Sequence, residues 1–177
     1  SLIDEKTLNH IIQHGDFQGQ SVAFVLALGL YFTQKRLYED YSQFINDYPN
    51  QILISMINKE TLNHIIPKGY CKGLSLAYLL AKNTSFGSDI LSYNNSRLGS
   101  MINQTALNHI ITDCPLMDHD VGLSTAYWLS CAGSVDLFNL KSSITVETLN
   151  HPGKCEAYEG LSVAFWLAMR GAMIPKI

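Results

Sequence analysis

One pattern recurs four times along the chain, and it constrains the fold more than any other feature does. It reads "IDEKTLNH", "INKETLNH", "INQTALNH" and "ITVETLNH" from Ile3, Ile57, Ile102 and Ile144. Each occurrence is followed by "GQSVAFVLA", "GLSLAYLLA", "GLSTAYWLS" or "GLSVAFWLA", from Gly19, Gly73, Gly122 and Gly160. The interval from His to Ser is 11 residues in units one, two and four, and 15 in unit three. Self-similarity of this kind marks an array in which each unit buries its apolar surface against its neighbours.

The first half of each unit predicts a short helix. The residue after the leading Ile is Asp4, Asn58, Asn103 or Thr145, all favoured N-caps. Leu8, Ile11 and Ile12 are spaced for one helical face, as are Leu62, Ile65 and Ile66, and Leu107, Ile110 and Ile111. In unit four Pro152 and Gly153 follow His151, which predicts a helix stopped at that histidine. The second half predicts a buried helix with a small-residue stripe: Gly19, Ala23 and Ala27 in unit one, and the same spacing from Gly73, Gly122 and Gly160. Large residues take the other faces, among them Phe24, Tyr78, Tyr127 and Phe165.

Spacers of different kinds separate the units, which begin 54, 45 and 42 residues apart. The first predicts an extra amphipathic helix over about 34–48, ended before Pro49; the second reads as a loop with one short turn, and the third as one helical turn. The expected fold class is all-α. Four tandem helix-turn-helix repeats, at about 3–30, 57–83, 102–132 and 144–171, would stack as a short solenoid or compact array within one domain spanning 1–177.

Composition excludes several classes. The 177 residues suffice for one core, and 47% hydrophobic with 15% charged residues describes an ordered chain. A net charge of −3 without a Lys/Arg cluster argues against nucleic acid as a partner. The longest apolar run, Val22–Phe32, is too short to span a membrane, and "SLIDEKTLNH" is no signal peptide, which predicts a soluble protein. The absence of an initiator Met suggests a fragment of a longer protein. Cys71, Cys114, Cys131 and Cys155 lack CxxC or disulfide-scaffold spacing and read as thiols in a reducing compartment. Nothing in the spacing of Cys114, His119, Cys131 and Cys155 asks for a zinc ion, so no metal or cofactor is expected.

The repeated histidines His10, His64, His109 and His151 read as structural. A buried imidazole would be satisfied by a backbone carbonyl and by the repeated hydroxyls of Ser21, Ser75, Ser124 and Ser162. "TLNHII" followed by Gly and an apolar helix resembles the "TPLH" start of ankyrin repeats, a resemblance covering about half of each unit that implies helical hairpins with a structural histidine. The segment "GYCKGLSLAYLL" is similar to the nucleophile helix of papain-like cysteine proteases of the bacterial-effector type. That resemblance implies Cys71 as nucleophile. A cysteine at a helix N-terminus has its thiolate favoured, and a nearby imidazole such as His64 would activate it; by the family's chain order His109, His119 or His151 would have to serve instead. His64 precedes the cysteine where that family places its histidine after it.

Unit three carries a four-residue insertion, giving "TDCPLMDHD" from Thr112 to Asp120. Leu116 and Met117 would form an apolar tip beside Asp118, His119 and Asp120, an arrangement that suits a protein partner. The first spacer, with Tyr31, Phe32, Tyr38, Tyr41 and Tyr48, is a second candidate surface. The expected function is a protein–protein interaction scaffold. The alternative is a cysteine-dependent hydrolase or acyltransferase using Cys71 and a histidine. The Asn- and Ile-rich composition and the protease likeness point to an effector secreted into a host cell cytosol.

Overall fold

A computed structural model describes residues 3–36, 48–85, 96–134, 139–154 and 158–170. These residues are all-α, with only isolated β-bridges among them, Ile110 to Ser124 and Gly153 to Glu159. The helices are α1 Glu5–Asn9, α2 Val22–Arg36, α3 Tyr48–Met56, α4 Lys59–Asn63, α5 Leu76–Ser85, α6 Ser96–Met101, α7 Gln104–Asn108, α8 Thr125–Ala132, α9 Val146–Asn150 and α10 Val163–Met169.

The leading helices α1, α4, α7 and α9 are each five residues long and begin at the expected caps. Asp4, Asn58 and Asn103 accept from the backbone N–H three residues on, at 2.7, 2.9 and 2.8 Å, and the Thr145 hydroxyl does so at 3.2 Å. Each such cap stabilises its helix by about 1 kcal/mol, much of what so short a helix has.

These helices end sooner than the apolar spacing suggests. In all four units the chain leaves the helix at the histidine, where ψ is 117–120°. The stop that Pro152 enforces in unit four is therefore common to every unit. The β-branched pairs Ile11–Ile12, Ile65–Ile66 and Ile110–Ile111 lie beyond the helix, where extended backbone suits them. A two-bond backbone clasp then closes each loop. In unit two Ile66 N–H donates to the Leu74 carbonyl and Gly73 N–H to the Ile66 carbonyl, both at 2.9 Å, and Ile12, Ile111 and Gly153 repeat the arrangement.

The glycines expected to open the small-residue stripe stand outside the second helices, in the left-handed region. At Gly73, φ is +83°, and that conformation turns the loop into α5 at little steric cost only for glycine. Ser21, Ser75, Ser124 and Ser162 follow as N-caps, their hydroxyls accepting from Phe24, Tyr78, Tyr127 and Phe165 N–H at 3.1–3.2 Å. The helices α2, α5, α8 and α10 pack against one another in chain order. Ala23, Ala27, Ala77, Ala81 and Ala126 of the first three, with Leu62, Ile66, Leu74, Leu107, Ile111 and Leu123, lie in the core.

The spacers depart in detail. Most of the helix expected over 34–48, including Tyr38 and Tyr41, lies outside the described residues. Pro49 falls in the first turn of α3 and so helps to start a helix where it was expected to end one. α6 extends the expected short turn to six residues, and Lys141–Ser143 is a 3₁₀ turn in the third spacer, where one helical turn was expected. No helix among the described residues is long and apolar enough to cross a membrane.

Candidate functional site

The asparagines of the first three Asn-His pairs, rather than the histidines, join consecutive units. Asn9 Nδ2 donates to the Met56 carbonyl at 2.7 Å and its Oδ1 accepts from Asn58 N–H at 2.9 Å. Asn63 bridges to Met101 and Asn103 at 2.9 and 2.7 Å, and Asn108 to Ser143 and Thr145 at 2.7 and 2.8 Å. Each of these amides therefore satisfies two backbone groups at the start of the following unit. Thr61 and Thr148 add hydroxyl bonds to the carbonyls of Asn9 and Asn108.

The histidines play a packing part at the same joints. The expected serine partners are committed to helix caps, and the Nε2 atoms of His64 and His151 are buried with no hydrogen bond among the described residues. His64 lies against Gly19 and His109 against Gly73, so that a Cβ on either glycine would stand 3.3 or 3.5 Å from Nε2. Burial holds the His109 imidazole below its ordinary pKa. His10, with no preceding unit described, is exposed.

Cys71 lies five residues before α5 rather than at its N-terminus, where Ser75 is the cap. It is buried, and desolvation, with a smaller contribution from Cys114, pushes its thiol up to about 11. No hydrogen bond joins it to His64 among the described residues. Burial also raises the thiols of Cys114 and Cys131, while Cys155 lies outside the described residues. This is the setting of protonated packing thiols. No group of three His, Cys, Asp or Glu among the described residues could hold a metal ion.

The inserted loop of unit three does not form the apolar tip read from its sequence. Met117 and Asp120 are in the interior and Leu116 is half-buried, which leaves Asp118 and the half-exposed His119 facing out. The loop is stitched to unit two: Leu116 N–H donates to the Tyr70 carbonyl at 3.1 Å, and Lys72 pairs with Asp113 at 3.1 Å. Inside, Lys82 Nζ meets Asp120 Oδ2 at 2.5 Å, the two residues being 1% and 0% exposed. Lys82 also lies 5.3 Å from the centre of the Trp128 ring. Trp128 Nε1 donates to Tyr78 Oη at 2.7 Å, and burial with the Asp120 charge holds the Tyr78 hydroxyl well above its ordinary pKa.

Sequence reading missed this pair, although its trace is there. Lys82 occupies the position of Leu28, Cys131 and Met169, and Asp120 that of Phe17, Cys71 and Tyr158. Two charges that replace apolar residues in adjacent units announce each other.

The loop tips of units one, two and three lie side by side in chain order. A Cβ on Gly69 would stand 3.3 Å from the Asp16 carbonyl, and Tyr70 carries the unit-three loop. On these tips Phe17 is 63% exposed and Tyr70 75%. Asp16, Lys68, Lys72, Asp113 and Asp118 surround them with charge. Compared with protein-family models, curated proteins and solved structures, the chain matches none.

Proposed function

We propose that the chain is a protein–protein interaction scaffold, its four sequence units stacked as a short helical array that presents the row of loop tips to another protein. The observation that carries this reading is the pair of outward aromatics, Phe17 and Tyr70, on neighbouring tips. Large exposed aromatics in a polar rim are the residue type that dominates interface energetics, and no folding role accounts for them. The site runs on through the half-buried Leu116 to Asp118 and His119. The cysteine-dependent reading draws no support from the burial and raised pKa of Cys71.

The test places a photo-crosslinking residue at Phe17, Tyr70 or Asp118, with exposed Val146 as control, in lysate of the source cell. One partner should be captured at the loop-tip positions and not at Val146. The purified partner should then bind the chain at least about tenfold more weakly after Phe17→Ala/Tyr70→Ala, a loss of roughly 1.4 kcal/mol or more. Equal capture at Val146, or undiminished binding by the double variant, would overturn the proposal.

A further inference from the structure

The second helices expose opposite faces at the two ends of the described chain. Phe24, Tyr78 and Tyr127, each three residues after the Ser cap, are buried, but Phe165 at that position in unit four is 42% exposed. One residue further on the order reverses: Leu79 and Trp128 are buried, and Val25 of unit one is 50% exposed. The internal joints show why these two positions belong together. Tyr78 meets Trp128 of the next unit through a hydrogen bond, and Tyr127 meets Trp166 edge-to-face at 6.1 Å between ring centres. At each of these two joints the first position of one unit packs on the second position of the unit that follows.

The polar groups repeat the asymmetry. Asn9, Asn63 and Asn108 bridge forward, whereas Asn150 Nδ2 bonds only to the Val146 carbonyl and its Oδ1 takes no bond among the described residues. The backbone N–H of Asp4, which corresponds to the Asn58, Asn103 and Thr145 donors, likewise has no partner among them. The notch at Gly160 is open: a Cβ there would meet nothing within 4 Å, while those at Gly19 and Gly73 would meet the next unit's histidine. Exposed His10 is the matching side chain.

We propose that two chains associate head to tail, the trailing face of unit four receiving the leading face of unit one of a second chain through the same joint that links units within the chain. Phe165 packs on Val25, Asn150 Oδ1 accepts from Asp4 N–H, and His10 seats at Gly160. The inference rests on the stacked-array reading above and uses a surface separate from the loop tips. The two faces differ, so the contact is heterologous and propagates until it closes or caps.

Sedimentation velocity at chain concentrations up to about 1 mM, the weak end of specific association, tests it. The unaltered chain should associate with rising concentration, and Phe165→Asp and Val25→Asp should each be monomeric. Mixed together, those two variants should form a heterodimer and nothing larger, because each retains the face the other lacks. Asn150→Ala should weaken association about tenfold or more, as loss of a buried hydrogen bond does. Phe17→Ala/Tyr70→Ala should leave it unchanged, so that failure here and failure of the loop-tip reading are separable. Thermal melts of the variants, all at exposed positions, confirm folding. An unaltered chain that stays monomeric throughout, or a mixture that fails to form the heterodimer, would overturn the proposal.

Discussion

Lys82→Met isolates the energetics of the buried ion pair. The substitution keeps the length and apolar stem of the side chain but removes its charge, leaving the Asp120 carboxylate at 0% exposure without its 2.5 Å partner. Breaking a buried pair from one side costs about 3–5 kcal/mol, because the remaining charge has lost both water and its counter-ion. Against a total stability of order 5–15 kcal/mol, that is about a fifth or more of what a domain of ordinary stability has. With a urea dependence of about 2 kcal/mol per molar, the unfolding midpoint should drop by roughly 1.5–2.5 M. Trp128, 5.3 Å from Lys82 Nζ, supplies a local fluorescence signal, and far-ultraviolet circular dichroism the global one.

The double variant Lys82→Met/Asp120→Leu decides whether the cost lies in the orphaned charge. With both charges gone, stability should return to within about 1–2 kcal/mol of the unaltered chain or exceed it, since well-packed apolar replacements of buried pairs are often neutral or stabilising. The two substitutions should therefore be strongly non-additive. If Lys82→Met alone costs less than about 1 kcal/mol, the smallest loss a broken buried hydrogen bond usually brings, water reaches Asp120 in solution and the reasoning fails. It fails equally if the double variant is no better than the worse single one.

Three further outcomes follow from the joints and the thiols. Asn63→Ala, which orphans Asn103 N–H and the Met101 carbonyl, should cost about 2–4 kcal/mol in urea unfolding, while Asn150→Ala, measured in dilute monomer, should cost under about 1 kcal/mol; equal losses would remove the asparagine from the joint. Cys71 should react with iodoacetamide at pH 8 at least about 100-fold more slowly than in urea-unfolded chain, given a thiol pushed up to about 11; a rate midpoint below pH 8, followed by mass spectrometry, would restore it as a nucleophile. His109 is disfavoured as a cation in the fold, so the unfolded chain takes up a proton first and stability falls as pH drops below about 6.5; His109→Gln should flatten that slope between pH 7 and 5, and an unchanged slope would assign it to other groups.

The sequence displayed the periodic positions and concealed which of them do the joining. Leu8, Ile11 and Ile12 satisfy helical spacing, yet a short helix followed by an extended Ile-Ile pair satisfies it too. The β-branched pair was the available clue, and Pro152 of unit four was a direct statement of the shared geometry. With the helix ended at the asparagine, its amide reaches across to the next unit's backbone, and the serines are left to cap. The caps of the leading helices, Asp4, Asn58, Asn103 and Thr145, depend on neighbours three residues apart and were legible for that reason, whereas the serines were read as partners of the histidines. The asparagine bridges span 35 to 49 residues and were not. Burial of Met117 and exposure of Phe17 and Tyr70 are equally non-local, which is why the proposed partner surface differs from the apolar tip expected of the inserted loop.

The joints are chemically alike in their asparagine bridges, which creates a problem that their differences solve. Units sharing one connector could pair in the wrong order, within a chain or between chains, as happens in repeat proteins that misassemble. The ion pair penalises this at the middle joint. Lys82 finds a carboxylate only on unit three, because the matching positions of the other units hold Phe17, Cys71 and Tyr158. Asp120 finds its ammonium only on unit two, since Leu28, Cys131 and Met169 hold that place elsewhere. Any other pairing buries one charge alone, at several kcal/mol. The Trp128–Tyr78 hydrogen bond adds discrimination against unit one on either side, since Phe24 lacks the hydroxyl and Val25 the indole donor, although Tyr127 and Trp166 carry both groups. The shared asparagine joins three pairs of neighbours alike, and the two charges out of keeping with the repeat set unit three against unit two.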